Sequence, residues 1–227
     1  MLYTIGNMAD NLRQIYNQIA PSWYNYRHHT RYRRELELLA AEWQSGNLLN
    51  IGCGHGADFL PFAANFKLFG IDFSEEMIKL ARKYREKYGF SANLAVAEAC
   101  ALPFKDACFD HVIAIAIYHH LKDEQRPLAF RELKRVLKPG GEAFITVWNR
   151  WQPRFWSSRH EILQPWRTKE NTLYRYYNLF SYKELVNLAE GEGFKVVRAF
   201  FQSPHPVPVK FFSRNICLLV KKMENGA

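Results

Sequence analysis

The sequence predicts a single α/β domain built on a doubly wound, mostly parallel seven-stranded sheet. It carries an N-terminal helical extension and an insertion after the fifth strand. Three observations carry that prediction. From residue 46 onward, short apolar runs alternate with segments of helical periodicity. The first run, Leu48-Leu49-Asn50-Ile51, ends in a glycine-rich turn, Gly52-Cys53-Gly54-His55-Gly56. A second run, Leu68-Phe69-Gly70-Ile71, ends in an acid, Asp72, twenty residues beyond Gly52. Alternating strands and helices put helices on both faces of a parallel sheet. Glycines after a strand let the backbone turn sharply and approach a ligand that a Cβ would keep out.

The elements follow in order. Leu48–Ile51 reads as the first buried strand, with a helix from about Ala57. Leu68–Ile71 is the second strand. Ser74 caps the next helix, because its hydroxyl can accept from a free first-turn amide. Glu75 and Glu76 favour the same end, and Met77, Ile78, Ala81 and Tyr84 recur at helical spacing. Asn93–Ala97 is the third strand. Asp110–Ile117 is the fourth, apolar nearly throughout, as a strand covered on both faces should be. A helix over Glu124–Leu137 carries Leu128, Ala129, Leu133, Val136 and Leu137, and Pro139-Gly140-Gly141 stops it. Ala143–Val147 is the fifth strand. Ser181 caps a helix through Leu185, Val186 and Leu188 to Gly191, and Phe194–Phe201 is the sixth strand. Ile216–Val220, after the proline-rich connection Ser203–Pro208, is the seventh. With no crossover helix before it, that strand would pair antiparallel with the sixth.

The chain thus divides into an N-terminal helical cover (1–45), a ligand-binding core (46–147), an insertion (148–180), and a C-terminal helix with two strands (181–227). No apolar run approaches membrane-spanning length, and the N-terminus lacks a signal-peptide core, so a cytoplasmic location is expected. Four scattered cysteines without a CxxC pair argue against a disulfide framework or a metal site. The net charge of +9 favours polyanionic partners, and its distribution is uneven. Between Trp148 and Tyr177 stand Arg150, Arg154, Arg159, Arg167, Lys169 and Arg175, interleaved with eight aromatics and opposed only by Glu161 and Glu170. Arginines neutralise phosphates and aromatics stack on unpaired bases, the combination suited to a single-stranded RNA loop. Arg150, Arg154, Arg159, Trp151 and Trp156 are the candidate RNA contacts. The competing reading is a lid whose aromatics pack inward.

The GxGxG spacing resembles motif I of the class I S-adenosylmethionine (SAM)-dependent methyltransferases, whose fold is Rossmann-like. That resemblance implies SAM as cofactor. Gly52, Gly54 and Gly56 would then approach its amino-acid part, and Asp72, with Phe73 beside it, would accept from the ribose hydroxyls. Glu98 matches the position that binds the adenine amino group, with Ala99 next to it. Ile117 and Tyr118 would face the methyl-donor end. Leu137-Lys138-Pro139-Gly140-Gly141 matches the family turn before the fifth strand. Asn50 stands where many members carry an acid that helps hold the amino-acid tail.

A narrower resemblance rests on four segments. Ile113–Leu121, Ile145-Thr146-Val147-Trp148, Arg175-Tyr176-Tyr177-Asn178-Leu179-Phe180, and Tyr16-Asn17-Gln18-Ile19-Ala20 with Trp23 and Arg27 are similar to the tRNA wobble-uridine carboxymethyl methyltransferases. The resemblance implies methyl esterification of 5-carboxymethyluridine at the wobble position of the anticodon. Arg27, His119 and Arg175 are then the candidate positioning residues, with His120 a further candidate. It also implies a heterodimer with a small zinc-binding activator protein. That partner would pair with the sheet edge at the third strand, through Leu94 and Val96. The core motifs fit two other readings: a SAM enzyme for a quinone or lipid precursor, and a SAM-fold RNA-binding protein without catalysis.

Overall fold

The structure, a computed structural model, describes residues 11–156, 160–168, 171–202, 210–211 and 213–224. Two helices open it, α1 (Leu12–Tyr26) and α2 (Arg33–Trp43). Then come β1 (Gly46–Ile51), β2 (Phe66–Asp72), α3 (Glu75–Tyr88), β3 (Ala92–Val96), β4 (Phe109–Ile115), α4 (Gln125–Val136) and β5 (Leu137–Trp148). A hairpin of β6 (Glu161–Arg167) and β7 (Thr172–Asn178) precedes α5 (Tyr182–Gly191), β8 (Phe194–Gln202) and β9 (Asn215–Lys222).

The main sheet has seven strands in the order β3-β2-β1-β4-β5-β9-β8. The first five are mutually parallel, and β9 runs antiparallel to both β5 and β8. Side chains alternate across the sheet with the period of two that a strand imposes. Leu49, Ile51, Val112 and Ala114 face α4 and α5, packing with Phe130, Leu133 and Leu185. Leu48, Ile113 and Ile115 face the opposite way, onto Leu36 and Leu39 of α2 and Ile78 of α3. The caps form as expected. The Ser74 hydroxyl accepts from the Met77 amide at 3.1 Å, and Ser181 closes a reciprocal box with Glu184. No helix of the described residues is long and apolar enough to cross a membrane.

Three elements differ from the sequence reading. The helix expected from Ala57 is a 3₁₀ stretch, Ala57–Phe62. Pro61 lies inside it, lacking the amide that a longer ladder needs, and β2 starts four residues after it. The Pro139-Gly140-Gly141 segment does not stop a helix. α4 has already ended at Val136, and the segment lies within β5, where pairing jumps from Phe109↔Leu137 to His111↔Glu142. Gly140 takes a φ of +75° there, and a Cβ on Gly141 would press on the carbonyls of Asp110 and Lys138. Finally, the insertion, in which the sequence reading places no element, holds β6 and β7, which pair antiparallel as a separate two-stranded sheet.

The two additions to the core meet. Trp166 of β6 stacks on Trp23 of α1 at 5.2 Å, and its indole N–H donates to the Ser22 hydroxyl at 2.8 Å. Helix and hairpin together wall the cavity that opens at the carboxyl ends of β1, β2, β4 and β5.

Candidate active site

That cavity has a volume of about 690 Å³, within the range of small-molecule sites. One part is lined by the glycine turn, Asp72, Phe73, Glu98, Ala99 and Ile117. The turn is tied to β2 by the Cys53 amide, which donates to the Ile71 carbonyl at 2.8 Å, and by the Asp72 carboxylate. Asp72 Oδ2 accepts from the Gly54 amide at 2.9 Å, and Oδ1 accepts from the Ser74 amide at 2.9 Å. Burial pushes the Asp72 carboxyl up to about 6, against the pull of those two amides. Gly52, Gly54 and Gly56 all take positive φ, at +68°, +53° and +93°. Their roles differ. A Cβ on Gly52 would collide with the Ile117 side chain, and one on Gly56 would meet Phe59 at 3.5 Å. A Cβ on Gly54 would meet no protein atom within 4 Å, because that glycine faces open cavity. Gly56 is buried in packing and does not reach the wall. Glu98 does reach it, in an ion pair with Arg13 of α1, both side chains about half exposed.

The other part of the cavity is aromatic and cationic. Tyr16, Trp23, His120, Trp148 and Tyr177 line it, with Arg27, Arg31 and Arg214. The Arg27 guanidinium lies 4.1 Å from the centroid of the Trp23 ring. Burial, and then repulsion from Arg31, lower its pKa to about 10. Asp58, absent from the sequence-level candidates, also lines the cavity. Burial raises its carboxyl to about 6, against the pull of Thr30 and Arg27.

The histidine expectation is corrected. His120, not His119, is on the wall. His119 is buried behind Tyr177, stacked on that ring at 4.7 Å, and its Nδ1 accepts from the Trp148 amide at 3.3 Å. The strand–turn junction rotates consecutive residues apart, so one histidine points inward to the sheet end. The Nδ1 of His120 donates to the Tyr176 carbonyl at 2.8 Å, which leaves Nε2 to accept from the Tyr16 hydroxyl at 2.8 Å. Arg175 is likewise not on the wall. It is buried, faces the phenol oxygens of Tyr16 and Tyr177, and sits 5.0 Å from the Trp166 ring. Tyr118 is a core residue against Phe130. Asn50 does not line the cavity, but it is fully buried with both amide atoms unpaired, two residues before Gly52.

Four buried or half-buried imidazoles shape the response to acid. Burial pushes His55 down to about 4 and His120 to about 3, and holds His111 and His119 below the usual range. Each is neutral in the fold, whereas each titrates near 6.5 in the unfolded chain. As pH falls, the unfolded state takes up protons first. The stabilisation is therefore complete above about pH 6.5 and is lost below it. Asp58 and Asp72, raised by burial, protonate first in the folded state between about pH 6 and 4, which offsets part of the loss. Denaturant titrations should give a midpoint that holds from about pH 8 to 7 and falls steadily from about pH 6.5 to 5. A midpoint rising over that lower range would contradict the neutral imidazoles.

Comparison with known proteins fits this cavity. Residues 48–141 match a family described as a methyltransferase domain. The chain is 34% identical over 139 residues to the tRNA (carboxymethyluridine(34)-5-O)-methyltransferase ALKBH8 of Mus musculus, which is 61% of this chain and 20% of that protein. It is 30% identical over 158 residues to the "Putative methyltransferase ECU09_1500" of Encephalitozoon cuniculi, 66% of this chain and 70% of that one. The chain belongs to the class I SAM-dependent methyltransferases. The Burkholderia thailandensis 1,6-didemethyltoxoflavin-N1-methyltransferase, solved with S-adenosylhomocysteine, shares the fold, with a TM-score of 0.72, 18% identity, and coverage of 99% of this chain and 92% of that one.

The residues of this methyltransferase fit SAM. Gly54 leaves a cradle that any side chain would fill. The Asn50 amide, unpaired at the end of β1, is buried and not on the cavity wall, so it is not among the groups that would hold SAM. Asp72 has lone pairs left after its two backbone bonds, and an ionised carboxylate presents about four such sites. Adenine would reach Glu98 only beside, or in place of, the Arg13 contact. Of the cavity residues, Asp58 was within reach of sequence reasoning, two positions past the motif glycines. Arg31, Arg214 and Asn215 carry no local signal, since the fold alone joins the α1–α2 loop to the last strand.

The insertion residues are spread over the surface. Arg150 lies against Trp151 at 5.0 Å, with Glu184 3.7 Å away. Arg154 covers Phe155 at 4.4 Å and Trp148 at 5.0 Å. Trp151 is half-buried and Trp156 is 64% exposed. Arg159 lies outside the described residues. β3 is the sheet edge, with Leu94 half-buried and Val96 exposed.

Proposed function

We propose that this methyltransferase acts on a tRNA anticodon loop and methylates the carboxylate of 5-carboxymethyluridine at the wobble position, giving 5-methoxycarbonylmethyluridine. The observation that carries the reading is the cationic aromatic half of the cavity. Trp148, Tyr177 and Tyr16 offer ring faces and edges for a planar base taken out of its stack, and Arg27 waits among them for an anion. The name of the mouse relative supports the same substrate.

A carboxylate is already ionised at neutral pH, so the reaction needs no general base. That agrees with His120, whose Nε2 is committed to Tyr16 and whose Nδ1 is committed to a carbonyl. Bound SAM supplies a methyl group on a sulfonium, a good leaving group. The chain's part is alignment and exclusion of water. Arg27 binds one carboxylate oxygen and leaves the other to attack in line. Tyr16, held by His120 on one side and facing Arg175 on the other, fixes the wall. Arg175 is thus a positioning residue rather than a contact of the reacting atoms. Arg150, Arg154, Trp151 and Trp156 are proposed to meet the flanking RNA.

The activator partner belongs to the same proposal. β3 leaves one row of backbone groups unpaired beside the exposed Val96, a surface suited to strand addition by a small zinc-binding protein through Leu94 and Val96. Nucleoside mass spectrometry tests both parts. tRNA carrying 5-carboxymethyluridine is incubated with SAM, with and without the candidate activator. The expected product gains one methyl group and loses it again in mild alkali, as an ester does. A methylated product that survives alkali would exclude the carboxylate, and full activity of the isolated chain would exclude the need for a partner.

A further inference from the structure

Two arginines from distant parts of the chain lie over one indole of the cavity wall, and a third, Arg31, acts electrostatically on one of them. Arg214, just before β9, lies 4.4 Å from the Trp148 ring centroid, and Arg154, from the 3₁₀ turn Pro153–Phe155, lies 5.0 Å from it. Arg31, in the α1–α2 loop, lines the same cavity as Arg214. Hydrogen bonds fix the backbones of Arg214 and Arg31. The Arg214 carbonyl accepts from the Asn149 amide at 2.9 Å and from the Gln152 side chain at 3.2 Å, and Gln152 directly precedes the turn that carries Arg154. On the other side, the Gln202 side chain donates to the Arg31 carbonyl at 3.5 Å and accepts from Asn215 Nδ2 at 2.7 Å.

None of the three arginines is ion-paired among the described residues. Burial, then repulsion from Arg31 and Arg154, lowers the pKa of Arg214. Arg214 is half-buried while Arg31 and Arg154 are exposed, so the repulsion falls mainly on Arg214. An anion that joins them relieves it, and such charge arrangements cluster at functional sites. Beside them Asn215, more than nine-tenths buried, lines the cavity with an unpaired Oδ1 acceptor. A ligand that meets all of these groups carries an anion next to a hydroxyl donor.

We propose that Arg31, Arg154 and Arg214 form a phosphate-binding rim that holds the ribose-phosphate backbone of the nucleotide whose base enters the cavity. The proposal rests on an RNA nucleotide being the methyl acceptor. It divides the arginines by task, with Arg27 deep for the carboxylate and the other three at the mouth for phosphodiester. Guanidinium forks suit phosphate oxygens, and the packing of Arg154 and Arg214 on Trp148 limits the entropy lost on binding.

The test is fluorescence anisotropy of a labelled anticodon stem-loop across a salt series. In the Arg31→Gln/Arg214→Gln double variant, affinity should fall by roughly tenfold or more. The slope of log affinity against log salt should shrink by about 1.4, or about 0.7 per lost phosphate contact. Arg33→Gln, at an exposed guanidinium paired with Glu37, should change neither. Affinity for S-adenosylhomocysteine reports whether the double variant is folded. If it is not, Arg214→Gln alone is read, with a slope change of about 0.7. A folded variant whose affinity and slope match the parent overturns the rim, and so does a parent that binds no stem-loop. Methylation by the parent is scored separately. Arginine-dependent binding without methyl transfer would sink the proposed reaction and leave the rim standing. Methylation of the loop with an unchanged slope in the variant would sink the rim alone.

Discussion

Replacing Arg27 with alanine should lower kcat/KM for RNA bearing 5-carboxymethyluridine by about a hundredfold, with affinity for SAM unchanged. Two effects add. A hydrogen bond to a charged group contributes about 1.5–3 kcal/mol net, and a nucleophile left free to swing loses alignment, worth a further loss of rate. The location decides the size. Arg27 lines the cavity and stacks on Trp23 at 4.1 Å, so its guanidinium is held in one place before substrate arrives. Arg27→Lys keeps a charge but loses the planar fork and the stacking, so it should recover only part of the rate. Steady-state kinetics with a stem-loop substrate, alongside a thermal melt, measure both variants. A loss of less than about threefold in Arg27→Ala would remove Arg27 from the reaction.

Much of the architecture could be read in advance because it rests on short-range physics. The strands β1, β2, β4 and β5 carry short, nearly continuous apolar runs, as strands covered on both faces do, and the Ser74 and Ser181 caps sit where a free amide needs an acceptor. On the side of the glycine turn, local features place Gly52, Gly54 and Asp72 on the cavity wall, though Gly56 and Asn50 do not line it. What escaped was set by contacts over long separations. His119 and His120 are indistinguishable as neighbours in a sequence. Only the 3₁₀ turn Tyr118–His120 and the packing of Tyr177 decide which of them faces the cavity. Arg175 is a candidate through the family resemblance of its segment, but β7 pairs with β6 and turns the guanidinium off the cavity wall, behind Tyr16 and Tyr177. Pro139-Gly140-Gly141 looked like a helix stop, and the register shift between β4 and β5 uses it as a kink instead.

Gly54 is where the cofactor reading makes its largest demand. Gly54→Leu should weaken binding of S-adenosylhomocysteine by at least about a hundredfold while costing about 1–2 kcal/mol of stability, the price of an L-residue at positive φ. The protein itself leaves room for the side chain, since nothing lies within 4 Å of a Cβ there, and the Gly54 amide can keep its bond to Asp72. The new side chain therefore enters the cavity and competes only with the ligand. Gly52→Leu gives the contrasting result. Its Cβ meets Ile117, a wall residue that must move, so stability and binding should fall together. Calorimetry and thermal melts on the pair separate a backbone kept bare for a ligand from one kept bare for packing. If Gly54→Leu bound S-adenosylhomocysteine like the parent, the cofactor would not lie against this turn, and the direction in which the methyl group faces Arg27 would have to be redrawn.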